Sequence, residues 1–274
     1  MQESQGPPVV LITGTSSGFG RVSAERLAGA GMRVFGTSRA PVDEPDASVP
    51  YRVIKMDVDD DESVSAAVEQ VIAEAGRIDV LVNNAGVGMA GSIEDTTIAE
   101  AKRQMETNFF GVVRTSRAVL PHMRSRESGK IINISSIGGL IALPFQAFYS
   151  ASKFGVEALT EALRLEVAPF GIKVCCIEPG DFATEMTDKR IFTAGADSNA
   201  YGLRMRKTIS HYERDERSGA DPVLVAELVE RLIVERTPKV RYLVGAAPQK
   251  AAALLKRVVG SRLFERILRK VYGL

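Results

Sequence analysis

Tryptophan is absent from the 274-residue sequence, and cysteine and histidine occur twice each. Cys175 and Cys176 are adjacent within an apolar run. Neighbours on a strand point to opposite faces, which makes them poor disulfide partners for each other. They read as buried thiols of a reducing compartment. His122 and His211 join no cluster of His, Cys and acidic residues at ligand spacing, so no metal site is expected. His122 follows Pro121 at a helix end, a structural position; His211 lies in a polar segment, where a substrate role stays open. No apolar run approaches the ~20 residues that span a bilayer. The opening MQESQGPPVV has neither the basic region nor the apolar stretch of a signal peptide. A cytoplasmic location is the expectation.

A strong charge of one sign is also missing. The net charge of +1 gives no sign of a nucleic-acid binder, and 45% hydrophobic with 25% charged residues suits a chain with a large buried core. The sign is unevenly spread, however. Lys250 to Leu274 holds seven Lys or Arg and one Glu, a net of +6, which leaves −5 (+1 minus +6) for the remainder.

What is present is alternation. Apolar strand patterns (VVLIT from Val9, MRVFGT from Met32, RVIKMDV from Arg52, IDVLVNN, KIINISS, IKVCCIEPG, and later VRYLV) alternate with helical periodicity. The helical stretches cover Arg21–Ala30, Glu62–Ala75, about Ala99–Met123, Phe148–Val167 and Val223–Val234. Such alternation implies right-handed crossovers and a parallel sheet, and strands apolar on both faces imply helices on both sides. No repeat or linker divides the chain, so residues 1–274 are expected to form a single α/β, doubly wound domain. Glu185 to Pro222 departs from the pattern: it is polar and glycine-containing, the mark of a substrate lid or of disorder.

TGTSSGFG, from Thr13 to Gly20, follows the first strand and opens the first helix. Gly14, Gly18 and Gly20 let the backbone turn tightly and approach a ligand, and the helix N-terminus offers unpaired N–H groups to a pyrophosphate. In this position the loop points to a dinucleotide. The second strand ends in GTSRA, with no acid for a ribose 2′-hydroxyl. Arg39 stands there instead, suited to a 2′-phosphate, so NADP(H) is favoured over NAD(H). Asp57 either accepts from the adenine amine or caps the next helix, a task for which Asp59 to Asp61 lie closer. NNAG, with Asn83 and Asn84, ends the fourth strand where open α/β sheets bind ligands, or forms a plain turn. In YSASK, Tyr149 and Lys153 share one helix face, with only small residues between them. The pair either faces solvent or forms a reactive centre. In the second case the ammonium, with an oxidised nicotinamide, would favour the phenolate of a tyrosine that exchanges a proton with an alcohol or ketone.

TGTSSGFG, NNAG, NISS, YSASK and PGDFAT, in this order and spacing, resemble the short-chain dehydrogenase/reductase family over Val9 to Thr184. The stretch from Gly138 to Gly171 is most similar to the hydroxysteroid (17-beta) and retinol dehydrogenase branch. The resemblance implies a Rossmann fold with a parallel seven-stranded sheet. It places a catalytic tetrad at Asn108, Ser136, Tyr149 and Lys153. Tyr149 would be the acid/base and Ser136, preferred to Ser135, would orient the substrate oxygen. Lys153 would bind the nicotinamide ribose, and Asn108 would hold a relay water. The implied cofactor contacts are Gly14, Ser16, Ser17, Gly18, Phe19, Gly20, Arg39, Asp57, Val58, Asn84, Ala85, Gly86, Tyr149, Lys153, Pro179, Gly180, Phe182 and Thr184. The implied substrate pocket draws on Ser136, Leu143, Tyr149, Phe182 and Met186, with Leu140, Phe145 and Met89 nearby. Apolar walls of this kind suit a steroid, a retinoid or a long-chain carbonyl.

Other readings are an NAD-dependent epimerase or dehydratase, whose glycine spacing and greater length fit poorly, and a non-catalytic NADP-sensing interaction protein. The family commonly pairs through the helices at Ala101–Met123 and Phe148–Val167, so a homodimer or tetramer is implied. In the tail, Leu255, Val259, Leu263, Ile267 and Val271 recur every four residues with basic residues between them, the pattern of one amphipathic helix over 248–274. It is expected to pack on the body, join an oligomer contact or lie on an anionic membrane surface.

Overall fold

The computed structural model describes residues 6–40, 49–197 and 200–273. Residues 1–5, residues 198–199 of the expected lid and Leu274 at the end of the tail lie outside that set. In chain order come β1 (Val9–Ile12), α1 (Gly18–Gly29), β2 (Arg33–Ser38), β3 (Arg52–Lys55), α2 (Asp61–Ala75), β4 (Val80–Asn83) and β5 (Met89–Ala90). Next are α3 (Ile98–Met105), a π-helical turn (Glu106–Phe110), α4 (Gly111–Ser125), β6 (Gly129–Ile134), α5 (Ala147–Glu166) and β7 (Ile172–Pro179). β8 (Ile191–Phe192), α6 (Gly202–Arg217), α7 (Val223–Val234), β9 (Arg241–Val244), α8 (Ala247–Val258) and α9 (Ser261–Tyr272) complete the chain.

Seven strands form one parallel sheet in the order β3-β2-β1-β4-β6-β7-β9. β1 shows why its sequence is a continuous apolar run. Val9 and Leu11 enter a core with α2, α4 and α5, while Val10 and Ile12 enter a second core with α1 and α7. Each face of the sheet is covered by helices, so neither can be polar. The adjacent cysteines obey the same alternation. Cys175 joins the α1/α7 core, whereas Cys176 faces Glu157 of α5 and donates to its carboxylate at 3.2 Å. Both are free thiols.

Strand order reverses between β1 and β4, which opens a crevice at their carboxyl ends. Asn83 is not at its mouth. It belongs to a buried ladder, donating to Asn133 (2.9 Å) and Ser116 (3.2 Å), while Asn133 donates to Thr160 (2.9 Å). That ladder ties β4 and β6 to α4 and α5. Asp60, rather than Asp57, caps α2 by accepting from the Ser63 amide at 2.7 Å.

Two expectations are corrected. The Glu185–Pro222 excursion is not irregular throughout: β8 pairs with β5, and α6 buries Met205, Thr208, Ile209 and Tyr212 on one face. The tail is not one helix. Val259 and Gly260 adopt extended ψ values of 145° and 147° and separate α8 from α9. A glycine there costs about 1 kcal/mol of helix propensity relative to alanine. The bend lets Ala253 and Phe264 close over Ile141 beside Leu140 and Leu243. The packed face of α9 is therefore Phe264 with Leu268, one residue on from the expected stripe. Leu263 and Val271 are 52% and 57% exposed.

Candidate active site

A single cavity of about 540 Å³ runs from the end of β2, past the loop after β1, to the lid. The residues expected to touch cofactor line it, from Gly14 and Ser16 through Arg39, Val58 and Ala85 to Pro179 and Thr184, with one exception. Gly20 stands behind the wall. A Cβ there would come within 2.3 Å of the Gly14 carbonyl and 2.4 Å of the Asn84 amide, so this glycine lets α1 press onto the loops. Gly14 turns the chain with φ of +70°, and a Cβ on it would meet Ala85 at 2.9 Å. Asn84 locks the two loops together through its side-chain amide to the carbonyls of Thr13 and Gly14, each at 2.9 Å.

The N-terminus of α1 fits the pyrophosphate of a dinucleotide. Ser17 is its N-cap residue but makes no side-chain cap. Two groups of the lid come there instead: Glu185 accepts from the Gly18 amide at 2.9 Å, and Lys189 donates to the Ser17 hydroxyl at 3.0 Å. A carboxylate seated on a helix N-terminus marks the place where an anion is favoured. Glu185 and a pyrophosphate would compete for that amide. Replacing Glu185 with Gln is expected to tighten dinucleotide binding about 2- to 5-fold, the scale of one carboxylate at a helix N-terminus. A titration showing unchanged or weaker affinity would remove Glu185 from this role.

At the β2 end of the cavity, Arg39 is exposed and joins Ser38, Asp57 and Asp59 in its lining. Among the described residues it makes no ion pair. The Asp57 carboxylate accepts from the Asp59 amide at 3.1 Å and lines the same cavity.

At the other end, the half-buried Tyr149 presents its phenol to Ser136, to which it is hydrogen-bonded. Burial pushes the phenol up from its usual range, and the Ser136 bond opposes that shift. The Ser136 hydroxyl also accepts from the Gly138 amide at 3.0 Å, which fixes its position. Ser135 is buried, and among the described residues its hydroxyl has no partner. Lys153 stands one helical turn from Tyr149 on α5. Its ammonium donates to the Ile134 carbonyl at 2.8 Å and lies 5.9 Å from the Tyr149 ring centre. Burial brings Lys153 down to about 8, against the pull of Glu157 one turn on. Asn108 sits in the π turn, where an interrupted helical ladder often marks a functional position. Its side chain is committed to Val87, accepting from the amide (2.8 Å) and donating to the carbonyl (3.0 Å).

Leu143, Phe182 and Met186, expected to meet substrate, line the same cavity, and Phe182 meets Phe19 edge-on at 5.2 Å. Leu140, Phe145 and Met89 do not line it; Leu140 faces the tail and Met89 is buried in β5. The walls are also less apolar than expected, because Asp181, Lys189, Arg190 and Glu216 line the same space. Sequence reasoning missed all four as site residues, although Asp181 stood inside the quoted PGDFAT. Among the described residues, the only cluster with metal-ligand atoms is Glu157, Cys176 and Glu178. Arg241 lies 2.7 Å from Glu157 and 3.3 Å from Glu178 and supplies the cation there.

One crevice at the carboxyl edge of the sheet brings Tyr149, Ser136 and Lys153 together with the glycine-rich loop, an arrangement that suits a nicotinamide-dependent oxidoreductase. The chain belongs to the short-chain dehydrogenase family, whose pattern matches residues 8–193. It is 44% identical over 269 residues to the 3-ketodihydrosphingosine reductase of Bacteroides thetaiotaomicron, covering 98% of this chain and 99% of that one. Among solved structures it resembles a short-chain dehydrogenase from Streptomyces avermitilis, with a TM-score of 0.83, 35% identity and 98% of each chain covered. Two more distant structures were solved with cofactor. One is ElxO with NADP bound (TM-score 0.72, 28% identity, 86% of this chain and 96% of that one). The other is the 3-ketoacyl-(acyl-carrier-protein) reductase of Brucella melitensis with NADH (0.74, 27%, 89% and 99%).

Proposed function

We propose that this oxidoreductase uses NADP(H) to interconvert a lipophilic ketone and its alcohol, and that a long-chain carbonyl is its substrate class. The observation that carries the reading is the hydrogen-bonded Tyr149–Ser136 pair, which lines one cavity with the glycine-rich loop and Arg39. When bound, the cofactor supplies or accepts the hydride. The chain supplies position and protons. Ser136 donates to the substrate oxygen and holds it beside the Tyr149 hydroxyl. Because burial favours the neutral phenol, Tyr149 is set to give its proton to the oxygen as the carbonyl is reduced. Lys153, at about 8, can release and regain a proton near neutral pH and restore the phenol. Leu143, Phe182 and Met186 keep water from the reacting oxygen and accept an alkyl chain.

Similarity along the whole chain to a 3-ketodihydrosphingosine reductase supports a long-chain ketone over a steroid or retinoid. The test is a ketone series of rising chain length with NADPH, against a sugar and a polar hydroxy acid. The rate constant kcat/KM is expected to rise with chain length. Turnover of the polar compounds alone would overturn the reading.

A peripheral membrane contact belongs to the same proposal. On α9 the exposed Leu263 and Val271 are flanked by Arg266 and Lys270, a pattern that fits an anionic lipid surface. Leu263→Glu with Val271→Glu leaves Phe264 in its core and is expected to abolish co-sedimentation with vesicles containing phosphatidylglycerol. Failure of the unaltered protein to sediment would defeat the idea. A homo-oligomer paired through α4 and α5 accounts for the exposed Phe110, Phe154 and Leu165. Two buried free thiols suit a cytoplasmic setting.

A further inference from the structure

Behind the reactive centre, outside the cavity, lies a second group of charges. Glu157 stands one turn beyond Lys153 on α5, so the two share a helix face, and both are buried. One carboxylate oxygen of Glu157 accepts from Arg241 Nε at 2.7 Å and from the Cys176 thiol at 3.2 Å. The other oxygen is buried and, among the described residues, has no hydrogen-bond donor. Glu178 of β7 completes the group: its carboxylate, that of Glu157 and the Cys176 sulfur lie within 4.8 Å of one another. Burial raises the thiol above its usual range, so Cys176 stays neutral and donates.

The group is short of positive charge. Glu157 and Glu178 share the single guanidinium of Arg241, which the exposed Glu161 also engages. α5 packs against β7, α3, the π turn and the short turn at Ile137–Gly139. Besides Cys176 and Glu178, β7 brings Lys173 at its start; α3 brings the exposed Lys102 and Arg103, and the π turn brings Glu106, which is paired with Arg114. The turn at Ile137–Gly139 brings no charge. Lys130, another buried lysine, turns to the opposite face of the sheet and donates to the Ile233 and Glu235 carbonyls at the end of α7. Buried carboxylates are stable only when paired, and the buried cation on this helix face is Lys153.

We propose that Glu157 is a positioning residue for the reaction: its carboxylate, fixed by Arg241 and Cys176, holds Lys153 as an ammonium through the neutral range, ready to return a proton to Tyr149 after each reduction. The proposal rests on the ketone-reductase reading and adds to it a group that touches neither substrate nor cofactor. The state of Lys153 agrees with it. Burial lowers the lysine to about 8 and Glu157 opposes the fall, so without the carboxylate the ammonium would be lost at lower pH.

The test follows kcat/KM for reduction of a long-chain ketone by NADPH across the neutral and alkaline range. In the unaltered enzyme the rate should fall on the alkaline side with a midpoint near 8, where Lys153 loses its proton. Glu157→Gln keeps the shape and an acceptor for Arg241, and its midpoint is expected about one unit lower, the scale of one nearby charge. Above both midpoints that reads as about 10-fold lower kcat/KM, with little change on the acid side. Glu157→Asp, which keeps the charge, should return the midpoint to that of the unaltered enzyme. Glu157→Met fills the space with an apolar chain, carries the same expectation as the Gln variant, and serves if that one does not fold. A midpoint that stays in place in the uncharged variant, or a loss equal at every pH, overturns the proposal, since a strut between α5, β7 and β9 would act that way. So does an Asp variant shifted as far as the Gln variant, or an unaltered enzyme with no alkaline fall. Reduction of no long-chain ketone at any pH overturns the reductase reading instead, and this proposal falls with it.

Discussion

Replacing Tyr149 with Phe should lower kcat by about 10²- to 10⁴-fold, the range for removing a positioned acid or base, and leave dinucleotide affinity within about twofold. The expectation follows from how little the change touches. The ring stays in its place, 3.0 Å from where a Cβ on Gly138 would sit, and only the hydroxyl that meets Ser136 is removed. The loss corresponds to about 3–5 kcal/mol in the transition state. Measuring kcat and the dissociation constant of NADPH on the same preparation separates chemistry from binding. A non-catalytic NADP sensor would be indifferent to the substitution. A variant keeping more than about a tenth of the turnover would move the acid/base role away from Tyr149, given the usual size of such effects.

Arg39→Ala should erase most of the preference for NADPH over NADH, by about 10- to 100-fold, while the affinity for NADH barely changes. A charge-assisted bond to a phosphate contributes about 1.5–3 kcal/mol, and the planar fork of arginine suits that group. The end of β2 offers no carboxylate to a ribose hydroxyl. The nearby acids have other engagements, Asp59 accepting from Thr107 at 2.9 Å and Asp57 from the Asp59 amide. Because the chain has no tryptophan, little protein emission interferes, and the fluorescence of the reduced cofactor reads both affinities directly. Equal affinities for NADPH and NADH in the unaltered protein would take Arg39 out of the site.

The sheet was legible because its strands are buried on both faces, so β1, β4, β6 and β7 appear as plain apolar runs. α7 was found over Val223–Val234, the same residues that the structure assigns to it. α6 was not, because Met205, Ile209 and Tyr212 form a narrow stripe in a segment dominated by Arg, Lys, Glu and Asp. Composition concealed a periodicity that was present. In the tail, the four-residue periodicity runs straight through Gly260 and so hides the break there, and the bend it permits rotates the packed face from Leu263 to Phe264.

The site divides in the same way. Residues in the glycine-rich loop and in YSASK were found because each motif is local and carries its own geometry. Glu185 was not found on the Gly18 amide, 167 residues away in sequence. Nor was the Arg190–Glu216 pair, which exists only once α6 folds back over the cavity. Contacts made by folding a lid leave no spacing in the chain for a reader to find.

The most direct test of the account offers the enzyme an equal mixture of NADPH carrying deuterium at the transferable position and unlabelled NADH, with a long-chain ketone. The alcohol product is then read by mass spectrometry. The account predicts an alcohol labelled predominantly with deuterium at the carbinol carbon, and almost none from Tyr149→Phe. An unlabelled alcohol, or no alcohol from any long-chain ketone, would contradict it.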